Sequence, residues 1–131
     1  MAYAQLKDEI IAYSKSIEID KIGFTSADPF LTLKERLTIH RELGYESGFE
    51  EPDLEKRVEP KKITPEARSI ISIALAYPSK MKNPPKSTKG ERRGIFCRAS
   101  WGKDYHQILK EKLQLLEKFI VEKVPGAHIT S

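Results

Sequence analysis

Apolar positions recur at three- and four-residue steps along two long stretches of the chain, the spacing of one face of an α-helix. Tyr3, Leu6, Ile10, Tyr13 and Ile17 form the first stripe and predict a helix over 3–17. Tyr105, Ile108, Leu109, Leu113, Leu116, Phe119, Ile120 and Val124 form the second, about five turns long, with Lys110, Glu111, Glu117, Lys118 and Lys123 on the other face and Pro125-Gly126 to end it. A third helix is predicted over 31–43, with Leu33, Leu37 and Ile39 as inward positions and Gly44 as a left-handed cap. Asp20 to Thr25 reads as a short strand closed by the turn chemistry of Ser26-Ala27-Asp28-Pro29. Ser69 to Tyr77 is apolar on both faces apart from its serines, which predicts a central strand covered on both sides and ended by Pro78. Ala127 to Ser131 resembles the opening of another strand, and it stops where a strand needs neighbours, so a fragment of a longer protein is expected.

The connections carry their own signals. Gly44 to Pro52, with two glycines, two aromatics and no period, is an irregular loop. Asp53 caps a short helical turn through Leu54, Lys56, Arg57 and Val58 before Pro60 stops it. Thr64-Pro65-Glu66 looks like a one-turn helix start with proline at the first position. Ser79 to Arg93, with Pro84-Pro85 and repeated lysines, buries too little to order itself and is expected to be mobile without a partner. The predicted fold is α/β, with α+β as the alternative: one central sheet with helices packed against it.

At 131 residues the chain fits one domain, spanning 1–131. Hydrophobic residues at 39% and charged ones at 32% suit a soluble globular protein. No apolar run approaches the roughly 20 residues that span a bilayer, and the start lacks a signal peptide's pattern, so no membrane partner and a cytoplasmic location are expected. One cysteine excludes an internal disulfide framework and a cysteine-only metal site, leaving a single soft ligand or an inert buried thiol.

The net charge of +4 is unevenly spread. Lys80, Lys82, Lys86, Lys89, Arg92, Arg93, Arg98 and Lys103 face one anion, Glu91, so this segment carries +7 and the remainder −3. A basic loop on a mildly acidic body is the footprint of phosphate or nucleic-acid contact, although a lysine-rich loop that merely stays solvated gives the same pattern. Directly after it, Gly94 to His106 packs Cys97, Arg98, Ser100, Trp101, Lys103, Asp104, Tyr105 and His106 together at the start of the last helix, where free N–H groups favour anions. The plainer reading is a loop with Trp101 and Tyr105 as core anchors. Arg57, beside the glycine-rich loop, can clamp a phosphate or carboxylate through its planar fork, or make a weak surface pair. Glycine-rich dinucleotide, Walker and zincin motifs are absent, and His40, His106 and His128 are too widely spaced to suggest a three-histidine metal site.

Taken together, several segments resemble the amino-terminal domain of epoxyqueuosine reductases, in their Bacillus-type form. They are Lys21-Ile22-Gly23-Phe24 with Ala27-Asp28, Gly44-Tyr45 with Gly48-Phe49, Lys56-Arg57-Val58, Ala67-Arg68-Ser69-Ile70-Ile71, Ala76-Tyr77-Pro78, and Trp101-Gly102-Lys103-Asp104-Tyr105-His106. The resemblance implies an enzyme of tRNA queuosine modification that removes the epoxide oxygen of epoxyqueuosine in the anticodon loop. Cobalamin sits in a cleft between this domain and the remainder of the same polypeptide, and two [4Fe-4S] clusters feed it electrons. A carboxylic acid beside the cobalt supplies the proton, and it belongs to a segment expected just after Ser131. The chain itself would then hold no catalytic residue and no cluster, since each cluster needs four ligands and one cysteine is present, and it would be inactive alone.

On the same resemblance Cys97 faces the cobalt, and Arg57 contacts the corrin rim. Arg98, Ser100, Trp101, Asp104, Tyr105 and His106 line the cofactor or nucleoside pocket. Lys80, Lys82, Lys86, Lys89, Arg92, Arg93 and Lys103 track tRNA phosphates, and the full-length enzyme is expected to be a monomer. Two other readings stay open: a stand-alone RNA-binding module without redox chemistry, and a corrinoid protein related to the reductive dehalogenases.

Overall fold

The computed structural model of the chain describes residues 2–77 and 80–131, and of residues 2 and 3 the backbone alone. The strand end expected at Pro78, the start of the basic loop at Ser79 and the inward place of Tyr3 lie outside the described residues. The elements are α1 (Ala2–Ser16), β1 (Lys21–Ser26), α2 (Leu31–Glu42), α3 (Leu54–Val58), β2 (Ser69–Ala74) and α4 (Tyr105–Lys123), with 3-10 turns at Pro60–Lys62 and Arg98–Ser100. They divide into two compact units, Met1–Ile22 with Ile73–Ser131 and Gly23–Ser72, and the division falls inside both strands.

β1 and β2 pair as a two-stranded antiparallel sheet. Ala27 N donates to Arg68 O (3.0 Å) beyond one end, and Asp20 Oδ2 accepts from Ala76 N (2.8 Å) beyond the other. The expectation of a central, doubly covered strand over 69–77 is therefore corrected. β2 is six residues long, has one described neighbour and buries none of its residues fully. An apolar run broken only by Ser69 and Ser72 reads the same whether its second face is covered or half-open. The strand expected over 127–131 is also not formed: these residues pair with neither β1 nor β2. The helical turn expected at Thr64 falls instead at Pro60–Lys62, where the fixed φ of Pro60 suits the first helical position; Thr64 to Ala67 is a simple turn closed by Ala67 N to Thr64 O (3.0 Å).

In the first unit α1 packs on α4. Tyr13 and Phe119 stack at 4.2 Å with planes 5° apart, beside buried Ile10, Leu116 and Ile120. Ser14 is also buried, which the apolar stripe does not announce; its hydroxyl donates to Ile11 O (2.8 Å) and so stays satisfied. Lys112 Nζ donates to Ile17 O (2.5 Å), past the end of α1, and lies 3.6 Å from Glu18. A cation at a helix C-terminus completes carbonyls the helix leaves unpaired. Glu18 turns the chain there with φ +62°, and Ile19 N closes the cap on Ser14 O (2.9 Å). A second tie joins Lys123 to Glu9 (2.7 Å).

In the second unit α2 packs on α3, anchored by Val58, 2% exposed, and by Phe30 N donating to Val58 O (2.8 Å). Asp53 caps α3 as expected, accepting from Glu55 N (2.9 Å). Of the three inward positions expected in α2, Leu37 is half-buried while Leu33 and Ile39 are exposed. α3 has five residues and is too short to cover a face of twelve. Gly44 takes the left-handed cap at φ +69°.

The loop that follows lacks periodicity but is pinned by two carboxylates. Glu46 accepts from Arg41 (2.9 and 3.2 Å) and from Arg57 Nη1 (2.9 Å), while Arg41 also reaches Pro52 O (2.7 Å). Glu50 folds back onto Ser47 N (3.0 Å), Ser47 Oγ (2.9 Å) and Gly48 N (2.9 Å). The Ser47 amide above all holds the Glu50 carboxyl down to about 2.

Leu116→Ala is expected to lower stability by about 2–4 kcal/mol in urea unfolding, as for a buried leucine, whereas Leu115→Ala, at an exposed position, costs under about 1 kcal/mol. A carboxyl-detected NMR titration should find Glu50 ionising near pH 2, below the ordinary glutamate value of about 4.3. Because the folded value is the depressed one, the loop's carboxylate clamp is complete at neutral pH, weakens as pH falls below the unfolded value and is lost on passing about 2.

Candidate functional site

The candidate site lies in the first unit, where the chain leaves the basic segment and enters α4. Across 80–93 it forms no helix or strand and all its residues are exposed, so Lys80, Lys82, Lys86, Lys89, Arg92 and Arg93 stand in solvent, Arg93 ion-paired to Glu91. Phe96 and Cys97 then lead into the 3-10 turn, closed by Ser100 N to Cys97 O and Trp101 N to Arg98 O, both 3.0 Å. The Trp101 indole N–H donates back to Phe96 O (2.9 Å) and fixes the ring over the turn. Cys97 is exposed in this chain, with Sγ 3.9 Å from Ser100 Oγ. Met81, Pro85, Ile95, Phe96, Ser100 and Trp101 border a mostly apolar cavity of about 470 Å³.

Gly102, at φ +85°, reverses the chain so that Lys103 and Asp104 precede the helix. Asp104 caps α4: its Oδ1 accepts from His106 N (2.9 Å) and also meets His106 Nδ1 (2.8 Å). The His106 amide first, and the imidazole second, hold the Asp104 carboxyl below the ordinary aspartate range. The Nδ1 edge of the imidazole is thus turned to the Asp104 carboxylate. Tyr105 stacks on His106 (4.0 Å, 27°) and meets Tyr77 edge-on (6.3 Å, 84°). Tyr105 is exposed and not the core anchor that the plainer reading made it, while Trp101 is half-buried.

The structure thus brings Cys97, Arg98, Ser100, Trp101, Lys103, Asp104, Tyr105 and His106 onto one turn and one helix start. Arg57 belongs to the second unit, where its side chain is 19% exposed and its Nη1 is held by Glu46. Two residues with structural roles escaped sequence reasoning. Tyr77 reads as a strand residue until its ring is seen on Tyr105; its only signal is an aromatic directly ahead of a basic run. Glu46 reads as loop, its signal being an acid five residues after Arg41. Among the described residues no group of three or more His, Cys, Asp or Glu side chains is arranged to hold a metal ion, and no helix is long and apolar enough to cross a membrane.

Comparison with known proteins gives this geometry a setting. The chain is similar to the epoxyqueuosine reductase of Bacillus cereus, 60% identical over 131 residues that are all of this chain and 34% of that protein. It is similar to the epoxyqueuosine reductase of Bacillus subtilis, 66% identical over 119 residues, 91% of this chain and 31% of that one. A solved epoxyqueuosine reductase with an epoxyqueuosine-modified tRNA-Tyr stem loop matches with a TM-score of 0.79 and 66% identity, over 92% of this chain and 32% of that chain. The chain therefore spans about a third of the length of the curated relatives it matches. The family described as Epoxyqueuosine reductase QueG, DUF1730 matches residues 57–131, which include the whole of the turn and helix start just described. With more than half of its residues in that match, the chain belongs to the epoxyqueuosine reductase QueG family.

Proposed function

We propose that this chain forms the cobalamin- and tRNA-facing part of an epoxyqueuosine reductase, a cytoplasmic oxidoreductase that reduces epoxyqueuosine to queuosine in the tRNA anticodon loop. The observation that carries this reading is the gathering of Cys97, Arg98, Ser100, Trp101, Asp104, Tyr105 and His106 on a single turn and helix start in a member of that family. The solved relative with a modified tRNA stem loop supports RNA as the partner.

The residues fit a cobalamin. Cobalt arrives ligated by its macrocycle and needs no protein ligand set, so a single soft thiol such as exposed Cys97 suffices to approach it. Ile95, Phe96 and Trp101 offer apolar surface to the ring, and Arg98 and Ser100 offer donors to its amide rim. Arg57 belongs to the second unit and is held at Nη1 by Glu46; its contact with the corrin rim rests on the family resemblance alone. When bound, cobalamin supplies a low-valent metal centre that delivers electrons to the epoxide carbon. Lys80, Lys82, Lys86, Lys89, Arg92, Arg93 and Lys103 hold the RNA backbone. Two [4Fe-4S] clusters need four ligands each, so they belong to the remaining two-thirds of the relatives' length, the chain's partner in a monomeric enzyme; the proton-donating acid is assigned there on the family resemblance.

In the full-length protein, Cys97→Ala should alter the cob(II)alamin absorption spectrum while cobalamin still binds; an unchanged spectrum removes Cys97 from the cobalt. Reversing the charges of Lys82, Lys86, Lys89 and Arg92 should weaken stem-loop RNA binding and flatten its salt dependence, the slope of log K against log salt falling by about 0.7 per lost phosphate contact. Affinity and slope both untouched would defeat phosphate tracking.

A further inference from the structure

We infer that Tyr77, with Tyr105 and His106, forms a stacking platform for an unpaired nucleobase of the bound RNA, an inference that rests on the RNA reading above. Three rings are joined in one cluster: Tyr105 lies flat on His106 at 4.0 Å, and Tyr77 stands at 84° to Tyr105 at 6.3 Å. They are not core. Tyr77 is 45% exposed and Tyr105 36%, and the His106 side chain is 71% exposed although one of its faces is covered by Tyr105, so its other face opens to solvent.

The platform is set before a ligand arrives. The helix cap that orients α4 also grips the imidazole, because Asp104 Oδ1 meets both the His106 amide and Nδ1. Tyr77 is held at the end of the stretch that Asp20 ties down through Ala76 N. Flat rings exposed beside a run of cations are what single-stranded nucleic-acid surfaces are made of: the cations follow the phosphates and the rings take the bases. Tyr77 stands directly ahead of the basic segment in the chain, and Lys103 stands two residues before Tyr105. Asp104, kept ionised beside His106, repels phosphate from the rings themselves. A neutral aromatic face is therefore the group that fits there, and the backbone is directed to the lysines.

The test uses the full-length protein and an anticodon stem-loop RNA, with fluorescence anisotropy read across a salt series. Tyr77→Leu keeps the apolar bulk and removes the ring; it should weaken binding about 5- to 30-fold, within the range for loss of one stacked base, with the salt slope unchanged. Tyr77→Phe should bind as the parent does. A 2-aminopurine placed in turn at each loop position should be quenched at one position by the parent and not by Tyr77→Leu. Parent-like affinity and quenching in a folded Tyr77→Leu protein overturn the platform while leaving the RNA reading standing, which the basic-loop variant checks separately through its slope. Parent-like RNA binding with weakened cobalamin uptake overturns it in favour of a cofactor contact. A parent protein that shows no salt-dependent RNA binding overturns both.

Discussion

The packing of α1 on α4 is the constraint from which the rest of the first unit takes its position. Tyr13 lies flat on Phe119 with Ile10, Leu116 and Ile120 buried alongside, and this burial offsets the entropy lost in ordering a 19-residue helix. Lys112 adds direction: its ammonium takes the carbonyl of Ile17 and faces Glu18. Once α4 is fixed along its middle and end, its first turn is fixed too. Asp104, Tyr105 and His106 are then held at the helix start without contributing to the core themselves.

The second unit solves a different problem, since it has a short helix and a loop with little to bury. Its order is electrostatic. Glu46 draws Arg41 and Arg57 to one point, and Glu50 satisfies the amides of the turn it belongs to. Exposed ion pairs of this kind contribute little each, but bidentate geometry and a backbone carbonyl shared by Arg41 select one loop conformation. Arg57 is thus a structural clamp as well as a candidate contact, and its guanidinium reaches any ligand from an orientation that Glu46 has set.

Periodicity made the helices legible because packing follows the stripe: the inward positions from Ile108 to Ile120 are half-buried or buried, while Tyr105 and Val124, at the ends, project beyond the contact. Caps were legible for the same local reason at Asp53 and Gly44, whereas Asp104, read only as a member of the cluster, proved to cap α4. What could not be read was anything set by a distant neighbour. The run from Ser69 looks central, but its environment is decided by how many strands flank it, and Leu33 and Ile39 look inward, but α3 is too short to meet them. Most of the candidate site was legible as a cluster because it is contiguous in sequence. The meeting of Tyr77 with Tyr105 was not, since 27 residues of basic loop and turn separate them.

One consequence follows from the 3-10 turn. The indole of Trp101 is tied back to Phe96, and the thiol between them points outward as the sole cysteine of the chain. A maleimide dye or nitroxide label placed on this chain will therefore attach at a single address, beside the rings and cations of the candidate site, and report whatever approaches that surface.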